Sequence, residues 1–516
     1  MRHHAAFCGV MLLVAACSAT GGGQAGEQTT GGGTFTMAIA ADPDNLHPLT
    51  SSSAYTSAVG RFLYDSLVRL KPDGSIASGL ATAWKQGRNS VTFTLAPGIS
   101  CAGGSPLKAS DIAANFAFVT DPRNGSPLLD GDVPADLRAR ADDQAGALTL
   151  TVAKPDPFLL RKIADVLVVC PGGLRNPGAL KRQADGTGLY RLTEAVADDH
   201  YTMVKRTDYR WGPGGTTAAE PGLPDKVVLK VVKNETTAAS LLLSGQINAA
   251  TVRGADRRRL EAGGLFTRQT RTVLGEMFFN QADGRPVADE RVRRALVMAL
   301  DLPELAKALT GGAGLPSRSL IAVDPKACSG DSVTGNLPAH DPREAEALLE
   351  AAGWGKNGRP LKLTLAYTSE LGPRAASMAE LMAQRLRPFG IELVVKQAVR
   401  GEFAQIVFGT GQWDVTLLPL GVSLPSDLVP YMSGPTPPNG SNFAHIDNAD
   451  YDRLVKKAAS AGAGACDTWL AAESTLVKRL DVVPFADDTI PIFAKGARFD
   501  LIRGEVSPHS IRMTSR

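Results

Sequence analysis

The residues best able to do chemistry are six cysteines, at 8, 17, 101, 170, 328 and 466, and seven histidines, at 3, 4, 47, 200, 340, 445 and 509. No cysteine pair has C-x-x-C spacing, so neither a zinc site nor a dithiol redox motif is encoded locally. The histidines are scattered, with no helical pair beyond the first few residues. G-x-S-x-G, H-E-x-x-H and G-x-x-x-x-G-K-[ST] are all absent. Gly21, Gly23 and Gly26 fit G-x-G-x-x-G, but no strand precedes them and no helix follows, so the match reflects composition alone. A serine triad or metal centre would have to be assembled wholly from distant positions. The pattern points to binding rather than covalent catalysis, with no cofactor and no metal.

Charge narrows the partners further. The chain has 516 residues, 55 Lys+Arg against 52 Asp+Glu, a net charge of +3, 44% hydrophobic and 21% charged residues. Such near-neutrality provides no field to gather nucleic acid or coat an anionic membrane, and Arg257-Arg258-Arg259 reads as a solvated helix face. Asn124-Gly125-Ser126, Asn234-Glu235-Thr236 and Asn439-Gly440-Ser441 fit the glycosylation triplet and are read as turns.

The cysteines take their meaning from the N-terminus. Arg2, His3 and His4 precede an apolar run from Ala5 to Ala16, too short to cross a bilayer core of about 30 Å. Residues 1–16 read as an export signal. Val14-Ala15-Ala16-Cys17 resembles the bacterial lipobox, which implies that Cys17 becomes the lipidated N-terminus, although a signal peptide cut at an Ala-x-Ala-like site also fits. Residues 17–33, rich in Gly, Ser and Thr, form a flexible tether reaching about 20 Å. Four further cysteines in an exported chain suggest two disulfides with three possible connectivities. Sequential pairing, Cys101 with Cys170 and Cys328 with Cys466, keeps each bridge inside one half.

The elements that must position a site alternate between strand and helix. Thr34 to Ala40 alternates as a strand, runs into the turn-rich Asp42 to Pro48, and leads to a helical pattern at Tyr55, Val59, Phe62 and Leu63. Val91 to Leu95 reads as a strand and Asp111 as a helix start, with Ile112, Asn115, Phe116 and Val119 on one face. Val227 to Val232, Thr236 to Leu243 and Gln246 to Ala250 form a strand, helix, strand unit. In the second half, Asp289 starts a helix with Val292, Ala295, Leu296 and Ala299 inward. Asp341-Pro342-Arg343-Glu344 combines an N-cap with Pro at N1 and Glu at N3, and Gly353 stops that helix. Met378, Leu381 and Met382 repeat at helical spacing before the strand-like Ile391 to Val395. The fold class is α/β.

Blocks in fixed order resemble the family 5 extracellular solute-binding proteins, the peptide- and nickel-type receptors of bacterial ABC importers. They include Tyr64-Asp65-Ser66-Leu67-Val68, Leu80-Ala81-Thr82-Ala83-Trp84 and Gly104 to Asp111. Gly186-Thr187-Gly188-Leu189-Tyr190 follows, with Leu189 where the family has Pro. Phe279-Asn280 and Asp289 to Asp301 form the strongest block. The resemblance implies a two-lobe periplasmic-binding-protein-like clamshell with an extra subdomain inserted in lobe I and the ligand enclosed between lobes. By position, lobe I would be 34–60, 185–272 and 490–516, the inserted subdomain 61–184, and lobe II 273–489. Each sequential Cys pair then falls within one unit.

The resemblance also implies a lipid-anchored monomer that captures an oligopeptide or peptide-like solute and passes it to an ABC permease and ATPase. In peptide-binding members an acid just before a Pro, in the segment after the "fDv" strand, anchors the peptide amino group. The matching segment here, Trp413 to Pro425, has no acid between Asp414 and Asp427. A buried unpaired ammonium costs several kcal/mol, so Glu276, Asp487 or Asp488 would have to substitute. The bland readings are a strand-edge charge for Glu276 and a solvated loop for the two aspartates. Other cleft positions are Asn45, Tyr55, Phe278, Arg400, Trp413, Leu418 and Asn442, and His47 stands where the family has a turn acid. A non-peptide ligand (a glycoside, siderophore or secondary metabolite) and a ligand-sensing surface lipoprotein without transport are the competing readings.

Overall fold

The computed structural model describes residues 29–356, 358–462 and 464–515. The export signal and Cys17 lie outside the described residues. Ten strands form one continuous sheet: β1 (Thr34–Ile39), β2 (Tyr190–Val196), β3 (His200–Lys205), β4 (Lys226–Val231), β5 (Ala249–Thr251), β6 (Phe266–Phe279), β7 (Leu361–Thr368), β8 (Ile391–Ala398), β9 (Val415–Leu417) and β10 (Val482–Ala494). Their spatial order is β8-β7-β9-β6-β10-β5-β1-β4-β3-β2. At one end β1 runs parallel to β4 and β5; at the other β7 runs parallel to β8 and β9.

The two ends are joined by the antiparallel pair β6 and β10, in register from Phe266 opposite Ala494 to Phe278 opposite Val482. The first half of β6 lies with the β5 end, and its last residues, Met277 to Phe279, pair with β9. The register slips on either side of Gly275. A Cβ there would sit 2.7 Å from the Phe485 ring and 2.9 Å from Ala486 Cβ, so only glycine lets the two strands approach where the chain passes between the halves.

Each half has its own core. One runs from Phe35 and Phe62 through Phe93, Phe116 and Leu148 to Ile511, and takes in a four-stranded antiparallel sheet (Ala81–Gln86, Ser90–Leu95, Arg138–Asp142, Ala147–Thr151) with helix Ala109–Thr120. The other half holds Met277, Leu296, Leu363, Met378 and Val483 on one side of its sheet and Phe278, Trp413, Phe443 and Leu476 on the other. Local signals set the helices here: Asp289 caps Glu290–Ala299, Asp301 caps Leu302–Thr310, and Asp341 accepts from the amides of Arg343 and Glu344 ahead of Pro342–Ala351.

Cys101 is bonded to Cys170 and Cys328 to Cys466, each bridge within one half. Asp65, fully buried, accepts from Arg69, Thr187, Tyr209 and Trp211 at 3.0 to 3.1 Å, and Tyr209 also meets His509 at 2.8 Å. This network knits the Tyr64-Asp65 segment, the 187 loop and the C-terminal segment into one body. No helix among the described residues is long and apolar enough to cross a membrane.

Candidate functional site

The parallel strands of the first half end at a crevice, the usual location of ligands in open α/β sheets. Helix Ala54–Leu63 follows β1, its start fixed by the Ser53 side chain accepting from the Tyr55 amide. Between this helix, the ends of β1, β4 and β5, and β10 lies a cavity of about 480 Å³. Its walls are mainly apolar, among them Ile39, Tyr55, Phe62, Val232 and Ile490, with Glu235 and Arg253 at the edge. A second cavity, of about 370 Å³, lies on the other side of the same helix and is lined by Ser51, Ser53, Ser57, Arg61, Asp132 and Asp165 among others. Ala54, Arg503 and Glu505 line both, so an apolar cavity and a charged cavity adjoin across these three residues.

The charged end is a compact network. Arg61 pairs with Glu505 and with Asp165 (3.3 Å); Arg503 reaches Asp165 at 2.9 Å and Asp132 at 3.7 Å; Ser57 donates to Glu505 at 2.9 Å. Burial opposes the charge on Arg61, but Glu505 and Asp165 outweigh it and hold the guanidinium protonated. Burial likewise works against the Asp165 carboxylate, and Arg503 and Arg61 overcome it, so its pKa falls. Asp132 goes the other way, raised chiefly by burial, with Arg503 opposing. Across from this network, in the second half, Asp427 lies in the first turn of helix Pro425–Met432. Burial pushes its pKa up to about 6, moderated by Lys162 and Arg503 and increased by Asp132 and Asp156. Of these cavity and rim residues, only Tyr55 was singled out by sequence matching.

The other matched positions are distributed as follows. Tyr55 lines the apolar cavity. Asn45 is half-buried, its side chain accepting from the His47 amide at 2.7 Å in a turn. His47 itself is buried and stacked on Phe118 at 5.4 Å, and burial lowers its pKa to about 4, leaving the ring neutral. In the second half, Phe278 and Trp413 are 0% exposed and both pack on Phe443. Asn442 is spent on Ile446 and Gly434. Phe278, Trp413 and Asn442 are therefore packed into the second half and line neither of the two cavities described above. Arg400 is exposed and makes a two-pronged ion pair with Glu370.

The three acids differ. Glu276 is fully buried; one carboxylate oxygen accepts from the Leu420 amide at 2.6 Å and the other, Oε1, has no hydrogen-bond partner among the described residues. Its pKa is raised well above the usual carboxylate range by burial, with Asp487 and Glu473 adding to the rise against the Leu420 hydrogen bond. Half-buried Leu418 donates its amide to the Glu276 carbonyl at 3.1 Å, bringing these two positions together at the end of β9. Asp487, 1% exposed, is occupied by Arg271 (2.5 Å) and Ser317 (2.6 Å). Asp488 is half-buried, 3.8 Å from Arg257.

Two lobes joined by a crossing strand pair, with an apolar and a charged cavity side by side at the strand ends of the first, have the architecture of a solute-binding protein of the clamshell class. The comparisons sharpen this. The family model described as bacterial extracellular solute-binding proteins, family 5 middle, matches residues 75–442, and the chain belongs to that family. Its role is extracytoplasmic capture of a solute for an ABC importer, and it is not an enzyme. It is similar to the periplasmic murein peptide-binding protein MppA of Escherichia coli, 24% identical over 489 residues, covering 86% of this chain and 85% of that one. The unliganded open form of MppA superposes with a TM-score of 0.77 at 22% identity, over 95% of this chain and 99% of that structure. A substrate-binding protein from Microbacterium hydrocarbonoxydans, complexed with 4-hydroxybenzoate hydrazide, gives a TM-score of 0.71 at 24% identity, over 93% and 100%.

Proposed function

We propose that this receptor is anchored to the outer face of the cytoplasmic membrane by lipid on Cys17, works as a monomer, and captures an oligopeptide or peptide-like solute with one apolar side chain beside charged termini for delivery to its permease and ATPase. The observation carrying the ligand class is the pair of adjoining cavities, one apolar and one charged, that share Arg503 and Glu505 as lining. Amphipathic solutes of a few hundred daltons suit such a pair of volumes, with the apolar area supplying affinity and the few charges fixing orientation. Relatives named as peptide-binding support the same class. We further propose the boundaries 34–60, 185–272 and 490–516 for lobe I, 61–184 for its inserted subdomain and 273–489 for lobe II.

A non-peptide solute is the second reading, favoured by the state of the acids. Asp487 is consumed by Arg271 and Ser317, and no acid stands between Asp414 and Asp427. Native mass spectrometry of protein purified without refolding, followed by thermal shift with a peptide library, separates the two. Bound masses that fragment into amino acids, with a rise in Tm for hydrophobic peptides, support the peptide reading. Absence of both overturns it. For the anchor, Cys17→Ser is expected to move the protein from the membrane fraction to the soluble fraction.

A further inference from the structure

Shortly before the cavity-lining Asp165, the inserted subdomain presents an apolar side chain and an arginine to lobe II. Phe158 is 1% exposed, yet its neighbours are not those of the first core: it packs with Cys328, Leu424, Ala458 and Trp469 of lobe II. The Phe158 and Trp469 rings are 5.8 Å apart, tilted by 48°. The loop presenting Phe158 is locally fixed. Asp156 accepts from the Phe158 amide at 2.9 Å and from the Lys162 ammonium at 2.9 Å, and helix Leu159–Ile163 starts immediately after. One turn on, Arg161 donates to the Pro325 carbonyl of lobe II at 3.1 Å and to the Gly74 carbonyl of its own side. Gly74, at φ +80°, lies so close that a Cβ would come within 3.3 Å of the Lys326 carbonyl.

The receiving surface is built on a disulfide. Cys328 belongs to the strap that supplies Pro325 and Lys326, and that strap is held to the 422–424 segment by amides of Val323 and Ala327 bonded to Val422 and Ser423. Its bond to Cys466 ties it to the first residue of helix Cys466–Lys478, three positions before Trp469 and so on the same helix face. Besides such contacts, the lobes are joined through the paired strands β6 and β10, the place where a hinge motion between them would act. We infer that Phe158 and Arg161, which line neither cavity, form a latch through which the Cys328–Cys466 disulfide sets the angle between the lobes and hence solute affinity. The inference rests on the clamshell reading and not on which solute is bound. A wider distribution of lobe angles lowers the competent fraction, and apparent affinity falls in proportion.

Small-angle X-ray scattering of the full mature protein without added solute tests this. Phe158→Ala and the double substitution Cys328→Ser/Cys466→Ser are each expected to raise the radius of gyration, and Phe158→Leu, which keeps the apolar plug, to restore it. Reduction of a Cys101→Ser/Cys170→Ser variant is expected to reproduce the rise. Arg161→Ala provides the same readout if Phe158→Ala proves poorly folded by circular dichroism. Scattering of folded Phe158→Ala or Arg161→Ala that superimposes on the parent, together with no change on reduction, overturns the latch. Affinity for a peptide found by library screening is expected to fall about tenfold in Phe158→Ala. If no peptide binds, the peptide reading fails while the scattering result still decides the latch.

Discussion

Asp427 gives the sharpest electrostatic test. Its carboxyl is raised from 3.8 to about 6, first by burial, with Lys162 and Arg503 lowering it and Asp132 and Asp156 raising it. A carboxyl whose folded pKa lies above its unfolded value binds more protons in the native state between those two pH values, so its contribution to stability falls as pH rises through about 4 to 6. At 1.36 kcal/mol per unit, a shift of roughly two units is a cost of at most about 3 kcal/mol, fully present above pH 6 and absent below pH 4. Asp427→Asn removes the charge and keeps the shape. Urea unfolding of the two proteins at pH 4, 5, 6 and 7.5 is therefore expected to show equal stability at pH 4 and a gain of about 1 to 3 kcal/mol for the variant at pH 7.5. Lys162→Ala, which removes a favourable charge, is expected to enlarge the pH dependence in protein that retains Asp427. A stability difference that is flat from pH 4 to 7.5 would refute the placement of Asp427 against the lobe I network.

Other substitutions test the frame. Gly275→Ala puts a methyl against Phe485 and Ala486 where the lobes join; a loss of about 1 to 3 kcal/mol, with changed lobe separation in scattering, is expected. Asp65→Asn leaves Arg69 buried beside a neutral amide and breaks a four-donor network; a loss of about 3 to 5 kcal/mol of stability is expected. Cys101→Ser/Cys170→Ser opens a bridge of sequence separation 69, with an expected loss of about 4 kcal/mol on the chain-entropy model and no change in the pH dependence due to Asp427.

Much of the frame was legible in the chain. The strand at Thr34, the capped helices at Asp289 and Asp341, and the apolar faces of both lobes all follow from periodicity and capping residues. The joining strands were harder. β10 reads VVPFADDTIPIFA, with two prolines and two aspartates inside a central strand, a composition that argues against one. It is tolerated because the register slips near Gly275 and because Arg271 and Ser317 satisfy Asp487. At the site, Tyr55 could be found by position, whereas Arg61, Asp165, Arg503 and Glu505 could not. Their role depends on three distant segments meeting in space. The one local signal was Arg61 beside Phe62 and Leu63, a charge set at the edge of an apolar helix face. Trp413 and Phe278 carry the right side chains for a ligand pocket, but the aromatic cluster around Phe443 claims them for the lobe's interior.

A small solute is expected to be held between the two lobes, over the cavities lined by Tyr55, Arg61, Arg503 and Glu505. Hydrogen–deuterium exchange of the mature protein, with and without a saturating peptide identified by library screening, tests it most directly. Protection is expected at 37–40, 51–62 and 503–506 on one lobe together with 418–432 on the other. Protection confined to one lobe, or found only outside these segments, would contradict it.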